Sequence, residues 1–529
     1  MKNKLTIYFL IFILTGCAST EKYNQQITKL HSPKELCNDV NYAYKKLQKL
    51  HPDLYWYIGK EDLDAKFDAL KNSINKPISS KDFYKQLAPV IASIKQGHTA
   101  IYPPYRKKTK EEKKEKKKSD GPFKPLNIQN IGDKLFIKKN YGKDSTLIVG
   151  SEILSINNEI IQDLVKSFQK LSTGDGYNKT FIPKITSRHF GSYYLNTHQQ
   201  NDSILITLKK DDSIYSRYLH AKYVKKNILK KKRNDTIQLK INSAEKKLAK
   251  KRKKKNKAWI HTYGYNNYTK EKTRNFEFIK PDSTTTISYM KIRGFKNGGY
   301  KKFYKESFLK IDSANSNHLI IDLRDNLGGR LGEIDELYSY LTDKEYVFIE
   351  DAKITKRTSF IYPRMHSKSW LKKSLTTLLY PAVIVYQGFK VKNKNGSPYF
   401  KFKQSKARMP KPNNYKGNIY VLINGASFSA SSVLSTHLKA TERATFVGEE
   451  TGGAYNGTVA GLFAPIALPN SKVNMKIGLM TIKTPHHISP DGFGIKPDVY
   501  IPTTELEKDE QLEWVINDVQ NNQRQITSQ

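Results

Sequence analysis

The apolar positions of this chain change their period along its length, and each change marks a different kind of element. Leu36, Val40, Ala43, Leu47 and Leu50 fall on one face at helical spacing. In front of them Ser32-Pro33-Lys34-Glu35 forms a capping box with proline at the first helical position, and His51-Pro52 ends the run. Two more helices are expected, from about Glu61 to Ile74 and from Ser80 to Ile94, completing a small helical unit that closes on Gly97-His98-Thr99. Short strand-like pieces follow at Leu135 to Ile137 and Ser203 to Leu208, with a helix expected over Ile161 to Leu171. From Ile287 onward the pattern becomes apolar runs of strand length: Ile287 to Ile292, Leu319 to Leu323, Ala382 to Tyr386, Ile419 to Ile423 and Ala444 to Val447. Helical stretches separate them, which predicts a layered α/β domain with a largely buried sheet.

The N-terminus follows a different logic. Lys2 and Lys4 precede the apolar run Leu5 to Leu14, and Leu14-Thr15-Gly16-Cys17 then reads as a bacterial signal peptide ending in a lipobox. About ten apolar residues are too few to cross a bilayer, which needs about twenty. Cys17 is therefore expected to be the lipidated first residue of the mature protein. That places the protein in the bacterial cell envelope, lipid-anchored at the outer membrane and facing the periplasm or the surface. The only other cysteine, Cys37, then has no partner, so a disulfide framework is excluded. No Cys/His cluster has zinc-ligand spacing, and neither a metal nor another cofactor is expected.

Charge changes this picture little. The 92 Lys and Arg against 49 Asp and Glu give a formal net charge of +43, a balance that raises nucleic-acid binding. The excess, however, sits largely in two runs, Arg106 to Lys118 and Lys225 to Lys257, without an aromatic stacking platform or a helix-turn-helix pattern. They read as solvated helices or loops, and no nucleic-acid partner is expected. The 529 residues suggest about three domains. The expected organisation is a signal peptide over 1–17, a tether over 18–31, a helical domain over 32–105 and a lysine-rich linker over 106–120. A β-rich module over 121–212, a basic connector over 213–285, the α/β core over 286–505 and a tail or helix over 506–529 complete it.

Two segments of the core carry candidate chemistry. Asn424-Gly425-Ala426-Ser427-Phe428-Ser429-Ala430-Ser431-Ser432 follows one apolar run and opens an amphipathic one, Val433 to Leu438, which makes a strand, a tight turn and a helix start. A serine lifted out of a sheet at such a turn has its hydroxyl at the positive end of a helix, where backbone N–H groups can receive an oxyanion. Asp322-Leu323-Arg324-Asp325-Asn326-Leu327-Gly328-Gly329 ends another strand with paired glycines whose N–H groups no Cβ shields. Each alone is also an ordinary turn or helix cap.

With Val447-Gly448-Glu449-Glu450-Thr451-Gly452-Gly453 and Gly494-Ile495-Lys496-Pro497-Asp498, these motifs resemble, in order, the C-terminal-processing or tail-specific serine proteases. That family shares its catalytic core with the tricorn protease and the interphotoreceptor retinoid-binding proteins. The resemblance implies a crotonase/ClpP-like fold preceded by a PDZ-like module, whose glycine turn and strand match Gly150-Ser151-Glu152-Ile153-Leu154-Ser155-Ile156-Asn157. It also implies hydrolysis of peptides or unfolded proteins through an acyl-enzyme. Where the processing branch carries a lysine base in the Gly-Glu-Thr loop, this chain has Ala454, Tyr455 and Asn456. The tricorn-like branch instead takes a histidine from a Gly-His-Thr-type motif, which Gly97-His98-Thr99 matches.

The resemblance thus implies Ser429 as nucleophile, His98 as general base and Asp491, just ahead of the Gly494 motif, as the acid that orients the imidazole directly or by relay. The oxyanion hole would come from Gly328 or Gly329 together with Ala430. His486 and His487 rival His98 only by their nearness in sequence to Asp491, while Asp322, Arg324 and Glu449 are expected to brace loops. Because the base comes from the N-terminal unit, movement between modules would gate the Ser-His pair. The alternative is a protease-like lipoprotein without activity that binds peptides or apolar ligands.

Overall fold

The computed structural model describes residues 20–527 except 110–111, 113–116, 143, 200–201, 226–242, 358–380, 382–384 and 386–387. The signal peptide, the lipobox and Cys17 lie outside the described residues.

At the centre is a six-stranded sheet. Arg274–Ile279 runs antiparallel to Ile287–Ile292, which is followed in parallel by His318–Asp322, Asn418–Ile423, Thr445–Gly448 and Val499–Tyr500. The middle strands are buried on both faces, which is why they read as unbroken apolar runs rather than alternating ones. Helix Glu510–Thr527 covers one face, setting Val515 and Val519 against Ile320, Tyr420, Leu422 and Val447. Helices Tyr300–Ser313, Leu331–Tyr338 and Ala430–Ala440 pack on the other.

That second face continues without a break into the N-terminal helices. Leu36, Val40, Leu47, Phe67, Phe83 and Ile91 share one hydrophobic cluster with Ile321, Val421, Leu434 and Ile477. The capping box at Ser32 and Glu35 forms, and the helix it starts, Pro33–Leu50, buries its predicted face. The wholly buried Asp39 reaches from this helix to the turn of a long hairpin, Thr458–Ala467 with Asn474–Ile482. It accepts from the N–H of Asn470 at 2.9 Å and from the N–H and hydroxyl of Ser471 at 2.7 and 2.6 Å. Ala100–Tyr102 then adds as a strand to the same hairpin, pairing with Asn474, Met475 and Lys476. The segment that carries His98 is therefore stitched into the sheet system of the core.

The segment from 121 makes its own unit with its own core, built on Ile137, Ile153, Ile156, Phe168, Phe190 and Ile206. Its antiparallel sheet has the order Ser213–His220, Ser203–Lys210, Glu152–Ile156, Lys134–Asn140, Leu126–Ile131, and helices Ile161–Gln169, Phe181–Arg188 and Phe190–Thr197 pack on it.

Several expected boundaries move. The tether over 18–31 contains a helix, Thr20–Thr28, and a short strand, Leu30–His31, paired with Ile78–Ser79. The helical domain over 32–105 is not separate from the core, because their apolar faces are mutually buried. The linker over 106–120 ends in a strand, Lys117–Asp120, paired with Lys222–Lys225. Most altered is the connector over 213–285. It supplies the edge strand Ser213–His220, the lysine-rich helix Ser243–Tyr263, exposed over 247–261, and the central-sheet strand Arg274–Ile279. Arg274 is 1% exposed, and its Nε donates to Glu333 at 2.6 Å. A buried ion pair of this kind gives no apolar periodicity, so the strand escaped the sequence pattern. The run Ala382 to Tyr386 lies outside the described residues apart from Val385, which is helical rather than extended.

Candidate active site

Two loops at the carboxyl ends of adjacent parallel strands meet to form the site. Strand Asn418–Ile423 leads into the turn that carries Ser429, and the helix Ala430–Ala440 begins immediately behind it. Ser427 locks this turn, since its hydroxyl donates to the carbonyl of Leu323 at 2.8 Å and accepts from the N–H of Asn424 at 3.1 Å. Ser429 itself sits at φ 58° and ψ −117°. That left-handed backbone is unfavourable for a residue with a Cβ, and it turns the hydroxyl out of the sheet.

The glycine loop wraps around the same turn. Asn326, fully buried, accepts the N–H of Phe428 and the hydroxyl of Ser431 on its carbonyl, at 3.0 and 2.8 Å. Its side chain donates to the carbonyl of Ile292 and accepts the N–H of Gly328. Gly328 has φ +88°, and a Cβ there would stand 2.6 Å from the carbonyl oxygen of Phe428 and 2.7 Å from the nitrogen of Ala430. Because the N–H of Gly328 is already given to Asn326, the free donors of the expected trio are those of Gly329 and Ala430. Neither has a hydrogen-bond partner among the described residues.

His98 arrives from the N-terminal segment with its Nε2 2.9 Å from the Oγ of Ser429, across 331 residues of sequence. The half-buried ring lies between Phe428 and Phe463, with centroids 5.0 and 5.5 Å away. Burial, with the nearby Lys476 cation adding to it, pushes the imidazole down to about 3. It is thus neutral at physiological pH, the form that can accept a proton. Among the described residues no partner binds its Nδ1.

Asp491 is not that partner. Its Oδ2 accepts the indole N–H of Trp56 at 2.8 Å and its Oδ1 faces the Tyr57 hydroxyl at 3.5 Å, so the direct orienting contact with His98 is absent. An aspartate is one methylene shorter than the glutamate of the resembling pattern, and the indole donor takes the carboxylate first. His487 stands on the surface 3.4 Å from Glu350, and His486 packs edge-on to His437. Asp322 is held by Lys291 and Arg324, with Tyr289 donating to it, and Glu449 pairs with Lys184 at 3.0 Å.

Sequence reasoning missed the loop Ser172 to Phe181 of the β-rich unit. Phe181 stacks on Phe428 with centroids 4.3 Å apart, Asn178 donates to the carbonyl of Thr451, and Asp175 accepts the N–H of Gly97 at 2.7 Å. The only signal was Gly174-Asp175-Gly176, which by itself reads as a turn.

Residues 286–501 match the model described as peptidase family S41. This segment belongs to peptidase family S41. Among solved structures, mature CPAF is similar over 89% of this chain and 93% of its own, with a TM-score of 0.56 and 16% identity. Mature CPAF complexed with lactacystin aligns over 89% of this chain and 94% of its own, with a TM-score of 0.56 and 14% identity. At such identities the likeness concerns the fold, and it spans the helical and β-rich units as well as the S41 core. No curated protein matches the sequence.

Proposed function

We propose that this S41 peptidase is a serine endopeptidase acting on peptides or partly unfolded proteins, with Ser429 as nucleophile and His98 as base. The observation that carries the reading is the 2.9 Å approach of His98 Nε2 to Ser429 Oγ, between residues 331 apart in sequence. In the first half-reaction Oγ attacks the carbonyl carbon while Nε2 takes its proton. The tetrahedral oxyanion turns to the N–H groups of Gly329 and Ala430. As the C–N bond breaks, His98 returns the proton to the leaving amine and an acyl-Ser429 ester remains. Water then attacks the ester, giving its proton to His98, which hands it back to Oγ as the carboxylic acid departs.

The aromatic walls Phe428 and Phe463 exclude water from the imidazole and keep it neutral, which supports its role as acceptor. The lipobox ending in Cys17 supports attachment to the bacterial envelope by a lipid anchor, at the outer membrane facing the periplasm or the surface.

The test is hydrolysis of casein and of a mixed peptide library by the soluble form that starts after Cys17, beside Ser429→Ala and His98→Ala. Each substitution is expected to lower kcat by at least about a thousandfold. Hydrolysis that survives His98→Ala would move the base elsewhere. A folded parent that reacts with neither these substrates nor a fluorophosphonate would favour the inactive binding lipoprotein.

A further inference from the structure

Asp175 is a buried carboxylate of the β-rich unit, 1% exposed, that no ion pair neutralises among the described residues. Its loop is wedged between two others. The N–H of Gly176 donates to the carbonyl of Lys95 at 2.9 Å, and the N–H of Tyr177 donates to the carbonyl of Gly492 at 2.7 Å. A Cβ on Gly176 would stand 2.2 Å from that Gly492 oxygen, so the approach is as close as backbone allows. Within this wedge Asp175 Oδ1 takes the N–H of Gly97, the residue directly before His98. The N–H of Ala454 and the hydroxyl of Thr458 face the same carboxyl from the core, yet Oδ2 has no hydrogen bond of normal geometry.

Burying a carboxyl with an unbonded oxygen is costly. The fold nonetheless places it where three segments meet: the base loop, the loop after Gly453 and the loop after Asp491. We propose that Asp175 is a positioning residue, a clasp from the β-rich unit that holds the His98 loop in register with Ser429, making the Ser-His pair conditional on docking of that unit. This rests on the Ser429–His98 reading above.

The clasp has an electrostatic signature. Burial pushes the Asp175 carboxyl up to about 7, against the opposing pull of the Gly97, Thr458 and Ala454 donors. Tyr57, which also faces Asp491, senses the Asp175 charge, while His98 and Tyr177 follow Gly97 and Gly176 on the adjoining loops, with Lys95 lying over the Tyr177 ring at 4.2 Å. Ionised Asp175 grips the Gly97 N–H by a charge-assisted bond, and protonated Asp175 grips it weakly. Burial holds the imidazole well below its ordinary value, so a loss of activity as pH falls through about 7 that Asp175→Asn removes belongs to the clasp. Stability runs the other way. The carboxyl is raised from its ordinary 3.8, so the folded state binds more protons between about 4 and 7, and stability falls as pH rises through that window.

The experiment compares the parent with Asp175→Asn in kcat, KM, pH profile, melting temperature and hydrogen exchange of a peptide covering residues 95–99. In the parent, kcat/KM should fall with an inflection near pH 7. In Asp175→Asn, kcat at pH 8 should drop at least about tenfold with KM within about threefold, and the inflection should vanish. Exchange at the Gly97 amide should quicken, while the melting temperature at pH 8 stays level or rises because a buried charge is gone. An inflection retained in Asp175→Asn, or a kcat equal to the parent's, would overturn the clasp. So would a parent with no inflection between pH 6 and 8, which decides the matter even if the variant does not fold. The exchange readout needs no turnover, so unchanged Gly97 exchange sinks the clasp, whereas hydrolysis surviving Ser429→Ala sinks the peptidase assignment instead.

Discussion

Ser429 and Gly328 show how narrowly the site is drawn. The serine holds a left-handed backbone with a Cβ, and the glycine closes against it so tightly that no side chain fits between. Gly328→Ala would drive a methyl group into the Phe428 carbonyl and the Ala430 N–H, at a φ that already disfavours alanine. The expected outcome is a loss of kcat of at least about a hundredfold, as for removal of an oxyanion donor, in a protein that still melts cooperatively. Steady-state kinetics beside a thermal scan checks it. Ser429 and the glycine pair were legible as turn residues at strand ends, whereas His98 stood out only through the resemblance of Gly97-His98-Thr99 to a family motif. Asp175 was not legible, since one aspartate between two glycines carries no mark of the loop it will grip.

At the scale of elements, the pairing of Asp39 with the turn at Asn470 and Ser471 fixes how the first long helix meets the hairpin that receives the His98 strand. Asp39→Ala would leave these N–H and hydroxyl donors buried without their acceptor. A loss of about 3 kcal/mol of stability is expected from denaturant melts, with kcat falling only as the folded fraction falls. The same contact fastens the helical unit to the core at the hairpin turn. The helices themselves were readable from their apolar period and the Ser32 cap. Their partner was not, because an apolar face states that it will be buried without stating against what. Strand Arg274–Ile279 was missed for the opposite reason, as its key inward side chain is a charged Arg274 balanced by Glu333.

Across the whole molecule, a continuous core ties the N-terminal helices to the S41 segment, while the β-rich unit keeps its own core and meets the site through the loop Ser172 to Phe181 and the helix that follows, whose Lys184 and Arg188 reach Glu449 and the carbonyl of Asp325. Among the described residues no helix is long and apolar enough to cross a membrane. The proposed envelope attachment rests on the N-terminal lipobox. Cys17→Ser is expected to shift the protein in its host from the detergent phase to the aqueous phase on Triton X-114 partition and to abolish incorporation of labelled palmitate, with peptidase activity unchanged. Partition unaltered by the substitution would remove the lipid anchor from the account. What the sequence by itself determined is local and chemical: the strand runs, the capped helices, the serine turn and the glycine loop. Each depends on residues near one another in the chain, where periodicity and turn chemistry act directly. Only the tertiary structure decided that His98 meets Ser429, that Asp491 goes to Trp56, and that Asp175 from another unit accepts the N–H of Gly97. Those contacts join residues tens to hundreds apart. They are selected by which apolar faces are buried together, a property of the whole packing that no window of sequence contains.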